Sequence, residues 1–210
     1  MTMWRVRSML IGLALLPAVA WAQTFQEGED YRVLDEPVET EVEGVVEVRE
    51  FFSYACPHCN DFNPLLHRVM DDIGDRAELV RTPVIFNPSW EAVARTYYTL
   101  AAIDAVDQAH DAVFAAIHDD GRRLESLDAI TEVVADAGVD ADAFRDAWES
   151  FGVDSAMRSG ERLARSYGVR STPTVAVAGK YVVSVRQAGG QEAMGEIIRY
   201  LVDREHDDGQ

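Results

Sequence analysis

The sequence has almost no lysine. Lys180 is its only one, and the 19 basic residues are outnumbered by 37 acidic ones, so the formal net charge is −18. A protein that binds nucleic acid holds the phosphates through clustered basic side chains. So acidic a composition therefore argues against nucleic acid as a partner.

Long apolar runs are also missing after the first 22 residues. At the N-terminus, Arg5 and Arg7 precede an apolar run over residues 9–19, and a small-x-small site ends at Ala22. This order is typical of a secretory signal peptide cut after Ala22. An uncleaved membrane anchor is the alternative, although the run is short for a bilayer span. Removing 22 of the 210 residues leaves 188, enough for one domain or one domain with an insertion.

Cysteine is also scarce. The sequence has two, Cys56 and Cys59, which lie three positions apart. A disulfide that closes so short a loop constrains the unfolded chain very little, so a purely structural bridge explains the pair poorly. Redox chemistry and metal binding remain. As zinc ligands the pair supplies two of the four that a structural site needs, with His58 and His67 as nearby candidates. We expect no metal and no cofactor.

The order of predicted elements indicates an α/β fold interrupted by a helical block. A strand at 45–52 precedes a helix at 57–73 and a strand at 79–86. Helical periodicity follows from Trp90 to Ala101, then near 107–118, 125–137 and 141–151, and in a longer helix at about 154–167. Strands at 174–178 and 181–184 flank a predicted type II′ turn at Gly179-Lys180, and a last helix follows. We divide the chain into a signal peptide (1–22), a first α/β part (23–86), an inserted helical domain (87–153) and a second α/β part (154–210).

The motif Cys56-Pro57-His58-Cys59 begins the first helix. Pro57 suits the first helical turn, where its missing N–H costs nothing. Cys56 then lies among unpaired amide donors at the positive end of the helix dipole, which favours its thiolate and makes it the attacking sulfur. Cys59, one turn further, is expected to be its buried partner in a disulfide. His58 could donate to the thiolate or carry charge beside it, which favours oxidation of substrates. A solvated turn residue is the alternative for His58.

Two further features are candidates for the same site. Glu50 falls on the apolar face of its strand, where a carboxylate is costly unless it is paired or protonated. Six residues before Cys56, it could exchange a proton with the thiol of Cys59, or it could reach water at the strand edge. Thr172-Pro173 opens a later strand, and the spacing alone favours a trans bond there because trans is the common state.

Taken together, these motifs resemble the DsbA family of periplasmic thiol-disulfide oxidoreductases. The matching stretches are Glu50-Phe-Phe-Ser-Tyr-Ala-Cys56-Pro-His-Cys59, Gly168-Val-Arg-Ser-Thr-Pro-Thr174 and Gly179-Lys180-Tyr181. The resemblance spans the mature chain and implies a thioredoxin fold with an inserted helical domain. It also implies a cis bond at Pro173, a substrate-binding role for Thr172 and Pro173, and a strongly acidic Cys56.

The resemblance further implies an oxidase that introduces disulfides into reduced or unfolded exported proteins. A membrane quinone reductase of the DsbB type is the expected reoxidising partner. We expect a monomeric, periplasmic protein. Asn63 occupies a position where some family members carry a second acidic residue, so Glu50 would act alone in proton transfer. A DsbC-like isomerase or a reductase is the alternative enzyme, and a metal-binding or holdase protein is a third reading.

Overall fold

The computed structural model describes residues 24–208, without the side chain of Asp208. The predicted signal peptide and its cleavage site at Ala22 lie outside these residues. Within the described part of the chain, no helix is long and apolar enough to cross a membrane.

In this part of the chain, five strands form one mixed sheet in the order β1-β5-β4-β2-β3. Only the β2–β3 pair is parallel, and the other neighbouring strands are antiparallel. The strands are β1 (Arg32–Val33), β2 (Val46–Phe52), β3 (Ala77–Pro83), β4 (Thr174–Val177) and β5 (Tyr181–Ser184). Strand β2 leads directly to the predicted cysteine motif, and it lies between β4 and β3.

Every residue of β2 is buried, because helices cover both faces of the sheet. On one face, α1 (Pro57–Ile73) packs against α8 (Gln191–Asp208). On the other face, Phe51 packs against side chains of α6 (Phe151–Ser166). Glu47 and Arg49, which alternate with the apolar residues of β2, are therefore buried as well, with Arg49 Nε donating to Glu47 Oε1 at 2.8 Å.

The middle of the chain forms a second hydrophobic core. It contains α2 (Glu91–Ala102), α3 (Val106–His118), α4 (Leu127–Asp136) and α5 (Ala141–Trp148). Side-chain caps begin two of these helices. Ser126 Oγ accepts the N–H of Ala129 at the start of α4, and Asp140 Oδ1 accepts the N–H groups of the first turn of α5. The core of this insertion continues into the cysteine motif, since Cys56 and Cys59 pack within the same apolar cluster as Phe114 and Phe144.

Several details differ from the predictions. Strand β3 (Ala77–Pro83) begins two residues and ends three residues earlier than the predicted range of 79–86. Strand β1 and the short helix α7 (Val185–Ala188) were not predicted, because segments of two and four residues show no clear periodicity. The hairpin turn has positive φ at both Ala178 and Gly179, which is the pattern of a type I′ turn and not II′. A Cβ atom at Gly179 would lie 2.0 Å from the carbonyl oxygen of Val38, so this position requires glycine.

One of the two predicted boundaries of the inserted domain falls in a loop, and the other falls inside a helix. The boundary at 86/87 falls in the loop before a 3-10 turn at Pro88–Trp90. The boundary at 153/154 falls inside α6, which continues without interruption from the insertion onto the sheet.

Candidate active site

Cys56 is the N-cap residue of α1, and Pro57 is the first residue of that helix. The backbone of Cys56 is extended, and its N–H donates to the carbonyl oxygen of Ser53 at 3.0 Å. This tight turn carries the chain from the end of β2 to the start of α1. Both cysteines are free, so the structure describes the dithiol form of the protein.

The two sulfurs have opposite environments. Cys59 is fully buried, and burial is the main reason that the pKa of its thiol is raised, with the nearby Glu50 adding to the effect. At Cys56, a hydrogen bond from the Cys59 thiol lowers the pKa most. The side chain of Thr172 and the backbone N–H groups of Cys59 and His58 also lower it, and against partial burial the pKa falls to about 5. Cys56 is therefore the sulfur that is ionised at neutral pH.

Thr172 and Pro173 form the wall opposite Cys56. Their peptide bond is cis, as the family resemblance implied and the base rate of trans bonds did not. The sulfur of Cys56 lies 3.7 Å from the carbonyl oxygen of Thr172. The fold thus brings together two segments that are 116 residues apart in the sequence.

The side chain of His58 lies mostly in solvent. It is 77% exposed, and its Nδ1 is 3.9 Å from Asp61 Oδ2. The contribution of His58 to the acidity of Cys56 comes from its backbone N–H. Its carbonyl oxygen accepts a hydrogen bond from Gln191 Nε2 at 2.7 Å, which joins the start of α8 to the cysteine motif.

Glu50 is a buried carboxylate and does not reach water at the strand edge. It is 1% exposed, and its Oε2 accepts a hydrogen bond from Arg81 Nε at 3.1 Å. Burial raises the pKa of Glu50, although Arg81 opposes the shift. Sequence reasoning missed Arg81; pairing the two parallel strands would have found it, because Glu50 and Arg81 are direct neighbours in that register.

Arg81 is held by side chains of α1 as well as by Glu50. Its Nη2 lies 3.4 Å from Asn63 Oδ1 and 3.0 Å from His67 Nε2. Asn63 Nδ2 in turn donates to Asp111 Oδ1 at 2.7 Å. Although position 63 is an asparagine, a carboxylate therefore reaches this network from α3 of the insertion.

Among residues 24–208, no group of three or more histidine, cysteine, aspartate or glutamate side chains is arranged to hold a metal ion. His67, one of the two histidines that the sequence offered as ligands, instead contacts Arg81.

A mixed sheet that carries two cysteines at the start of its first helix, with a cis-proline facing them, defines a thiol-disulfide oxidoreductase of the thioredoxin superfamily. The sequence profile of the DSBA-like thioredoxin domain matches residues 67–195. The thiol:disulfide interchange protein DsbA of Pseudomonas aeruginosa is 31% identical over 198 residues, which cover 94% of each chain. The DsbA of Azotobacter vinelandii is 34% identical over 85% of this chain and 83% of its own. The chain belongs to the DsbA family.

Solved structures of the family have the same fold. The crystal structure of Pseudomonas aeruginosa DsbA superimposes with a TM-score of 0.82 at 31% identity, over 88% of this chain and 96% of that one. The oxidoreductase DsbA from Xylella fastidiosa superimposes with a TM-score of 0.80 at 27% identity, over 87% and 98% of the two chains. The expected α/β thioredoxin fold with a helical insertion is confirmed.

Proposed function

We propose that this protein is a thiol-disulfide oxidase that transfers a disulfide from Cys56-Cys59 to reduced exported proteins. The observation that carries the proposal is the contrast between the two sulfurs. Cys56 lies at the start of α1 among amide N–H donors, whereas Cys59 is fully buried beside Glu50. A thiolate stabilised in the reduced form makes the disulfide a stronger oxidant.

The exchange proceeds in two displacements. A substrate thiolate attacks Cys56, and the new bond forms as the Cys56–Cys59 bond breaks. Cys59 leaves and takes up a proton, since its raised pKa disfavours the thiolate. A second substrate thiolate then attacks the substrate sulfur of the mixed disulfide, and Cys56 leaves as a thiolate. Two electrons pass from the substrate to the enzyme.

Glu50 fits the role of proton donor to Cys59 in the first displacement. It is buried, its pKa is raised mainly by that burial, and it lies close enough to raise the pKa of Cys59. A carboxyl group with a raised pKa can both give and recover a proton near neutral pH. Thr172 and Pro173, which face Cys56, are suited to hold an extended substrate segment during both displacements.

The reduction potential is the measurement that tests the direction of electron flow. The protein is equilibrated with glutathione buffers, and its redox state is read after trapping the thiols with acid. We expect a reduction potential near −120 mV, which is the value of DsbA. The value is that of the relative and does not follow from the contacts described above. A value near −270 mV, as in thioredoxin, would reject the oxidase and favour the reductase or isomerase alternative.

Variants of the two cysteines separate their roles. Cys59→Ser keeps Cys56, whose mixed disulfide with glutathione should exchange with a reduced substrate protein to leave a trapped enzyme–substrate disulfide and free glutathione. Cys56→Ser should form no such disulfide and should lose oxidase activity. Equal trapping by both variants would contradict the assignment of Cys56 as the sulfur that substrates attack.

Location and reoxidation belong to the same proposal. A protein cut after Ala22 would begin at Gln23 in the periplasm, which sequencing of the N-terminus of the exported protein tests.

A DsbB-type quinone reductase should return the dithiol form to the disulfide when membranes and quinone are added. Failure of membranes to reoxidise it would exclude that partner. We also expect a monomer, so the molecular mass measured in solution should equal that of one chain.

A further inference from the structure

Two histidines of α3 contact the same residue of the active-site turn. The carbonyl oxygen of Tyr54 lies 2.8 Å from His118 Nε2, and the hydroxyl of Tyr54 lies 2.8 Å from His110 Nδ1. His110 is the fifth residue of α3 and His118 is its last, eight positions apart. Tyr54 is thus held from the insertion at both its backbone and its side chain.

The protonation of these groups follows from their partners and their burial. A carbonyl oxygen only accepts hydrogen bonds, so His118 must carry its proton on Nε2. Tyr54 is fully buried and His110 is 3% exposed. Burial raises the pKa of the Tyr54 phenol and lowers the pKa of His110 well below its usual value, so both groups are neutral. The contact between Tyr54 and His110 therefore persists across the neutral range.

Tyr54 lies in the middle of the turn that carries Cys56. On one side, Ala55 donates its N–H to Ser53 Oγ at 3.2 Å, and Cys56 donates to the Ser53 carbonyl oxygen. The ring of Tyr54 packs edge-on against Phe114, a residue of α3, with centroids 4.9 Å apart. A shift of the Tyr54 carbonyl would move the backbone two residues before the reactive sulfur.

The same helix also contacts α1 beyond the cysteines. Asp111, the neighbour of His110, accepts from Asn63 Nδ2 one turn after Cys59. Helix α3 therefore contacts the chain on both sides of the cysteine motif. The distances from the Cys56 sulfur to the amide N–H donors around it depend on how the turn and the start of α1 are placed relative to each other.

We propose that α3 of the helical insertion is a positioning element of the redox centre, with His118 as the positioning residue that holds the Tyr54 backbone and so places the Cys56 sulfur against the amides of α1. The insertion then has a part in setting the oxidising power of the site. This inference rests on the oxidoreductase chemistry of Cys56 but not on the direction of electron flow.

The test compares two replacements of His118. His118→Leu retains apolar contacts but removes the donor, whereas His118→Gln retains an N–H donor. We expect the leucine variant to raise the midpoint of the Cys56 thiolate absorbance titration by about half a pH unit, because a single hydrogen bond has energies of this order. Its equilibrium with glutathione should shift by about threefold towards the oxidised protein, since half a pKa unit is a threefold change. The glutamine variant should recover most of both shifts.

A merely structural bond gives a different result. In that case His118→Leu would lower the free energy of unfolding equally in the oxidised and reduced forms, and the titration midpoint and glutathione equilibrium would stay at the wild-type values. That outcome overturns the proposal. Asp119→Asn is the matched control, because Asp119 is the exposed next residue, and neither readout should change.

If His118→Leu does not fold, Tyr54→Phe tests whether α3 positions the redox centre. It removes only the hydroxyl that contacts His110 and keeps the ring and the backbone, so it should shift the midpoint in the same direction. An unchanged midpoint in Tyr54→Phe would then reject the role of α3. A wild-type glutathione equilibrium near that of thioredoxin would reject the oxidase and would leave the comparison among these variants valid.

Discussion

Asn63 on α1 donates a hydrogen bond from Nδ2 to Asp111 Oδ1 on α3, over 2.7 Å. The other end of the amide, Oδ1, faces Arg81 Nη2 at 3.4 Å. Arginine can only donate and an ionised aspartate can only accept, so the orientation of the Asn63 amide is unique. Asn63 thus connects the carboxylate of Asp111 on α3 to Arg81 on β3.

Moving the carboxylate from position 111 to position 63 tests this arrangement. Asn63→Glu alone places a second carboxylate against Asp111, and we expect it to lower the free energy of unfolding by about 1–3 kcal/mol. Adding Asp111→Asn restores a donor opposite the introduced carboxylate and should recover most of the loss. Urea unfolding of the wild type, both single variants and the double variant gives the coupling energy. Strictly additive effects would mean that the two positions do not interact.

Replacing Glu50 by glutamine should affect chemistry more than folding. Because burial raises the pKa of Glu50, its ionisation in the folded state costs stability as the pH rises above the ordinary value of 4.5. Glu50→Gln removes that cost and keeps an oxygen for Arg81, so the stability at pH 7 should be unchanged or higher. Exchange with reduced peptides should slow, and its pH profile should flatten.

The control for this variant is Glu78→Gln, since Glu78 is an exposed carboxylate on the neighbouring strand β3. It should leave both the exchange rate and its pH profile as in the wild type. If Glu50→Gln behaves like this control in stopped-flow exchange, Glu50 has no part in proton transfer.

The ionisation of Cys56 predicts how the stability of the reduced protein depends on pH. Its pKa is about 5 when folded, against an ordinary value of 9.0. Between these values the unfolded chain holds a proton that the folded one has lost, so the stability of the reduced form should rise with pH from about 5 to 9. The same contribution is lost as the pH falls through the folded value.

The oxidised protein has no thiol at this position and is the internal control. Thermal unfolding of both redox forms from pH 4 to 9 should therefore give curves that diverge as the pH rises, with the reduced form gaining. Reduced Cys56→Ser should lose this pH-dependent gain. Parallel curves for the two redox forms of the wild type would contradict a strongly acidic Cys56.

Arg49 forms a buried ion pair that is separate from the redox centre. Its side chain and that of Glu47 are 2% and 1% exposed, and Arg49 Nη1 also donates to Thr82 Oγ1 at 2.9 Å. Arg49→Met leaves the Glu47 carboxylate buried without its arginine, and we expect a loss of about 3–5 kcal/mol in the free energy of unfolding. Urea unfolding measures it.

Arg76→Met is the comparison, because Arg76 pairs with Asp203 at the surface, where ion pairs contribute about 0–1 kcal/mol. The reduction potential of the Arg49 variant should stay close to the wild-type value. Equal losses in the two variants would show that burial does not make the Arg49–Glu47 pair special.

The sequence alone was sufficient for the local features of the site. The bounds predicted for α1 and β5 agree with the structure, because hydrophobic periodicity and a proline at the first helical position are local properties. The position of Cys56 at the helix start follows from the same pattern. The four helices of the middle segment were also predicted, although their ends differ by a few residues.

Only the tertiary structure decided which side chains surround those cysteines. Arg81 reaches Glu50 through parallel strand pairing, Asp111 reaches Asn63 from the insertion, and His118 reaches the turn at Tyr54 from 64 positions away. The cis bond before Pro173 likewise has no pattern that spacing can display. Periodicity records which face of an element is apolar, whereas the partners of a buried polar group depend on how distant elements pack. The acidity of Cys56 therefore begins with its place in the sequence and depends for its size on the packing around it.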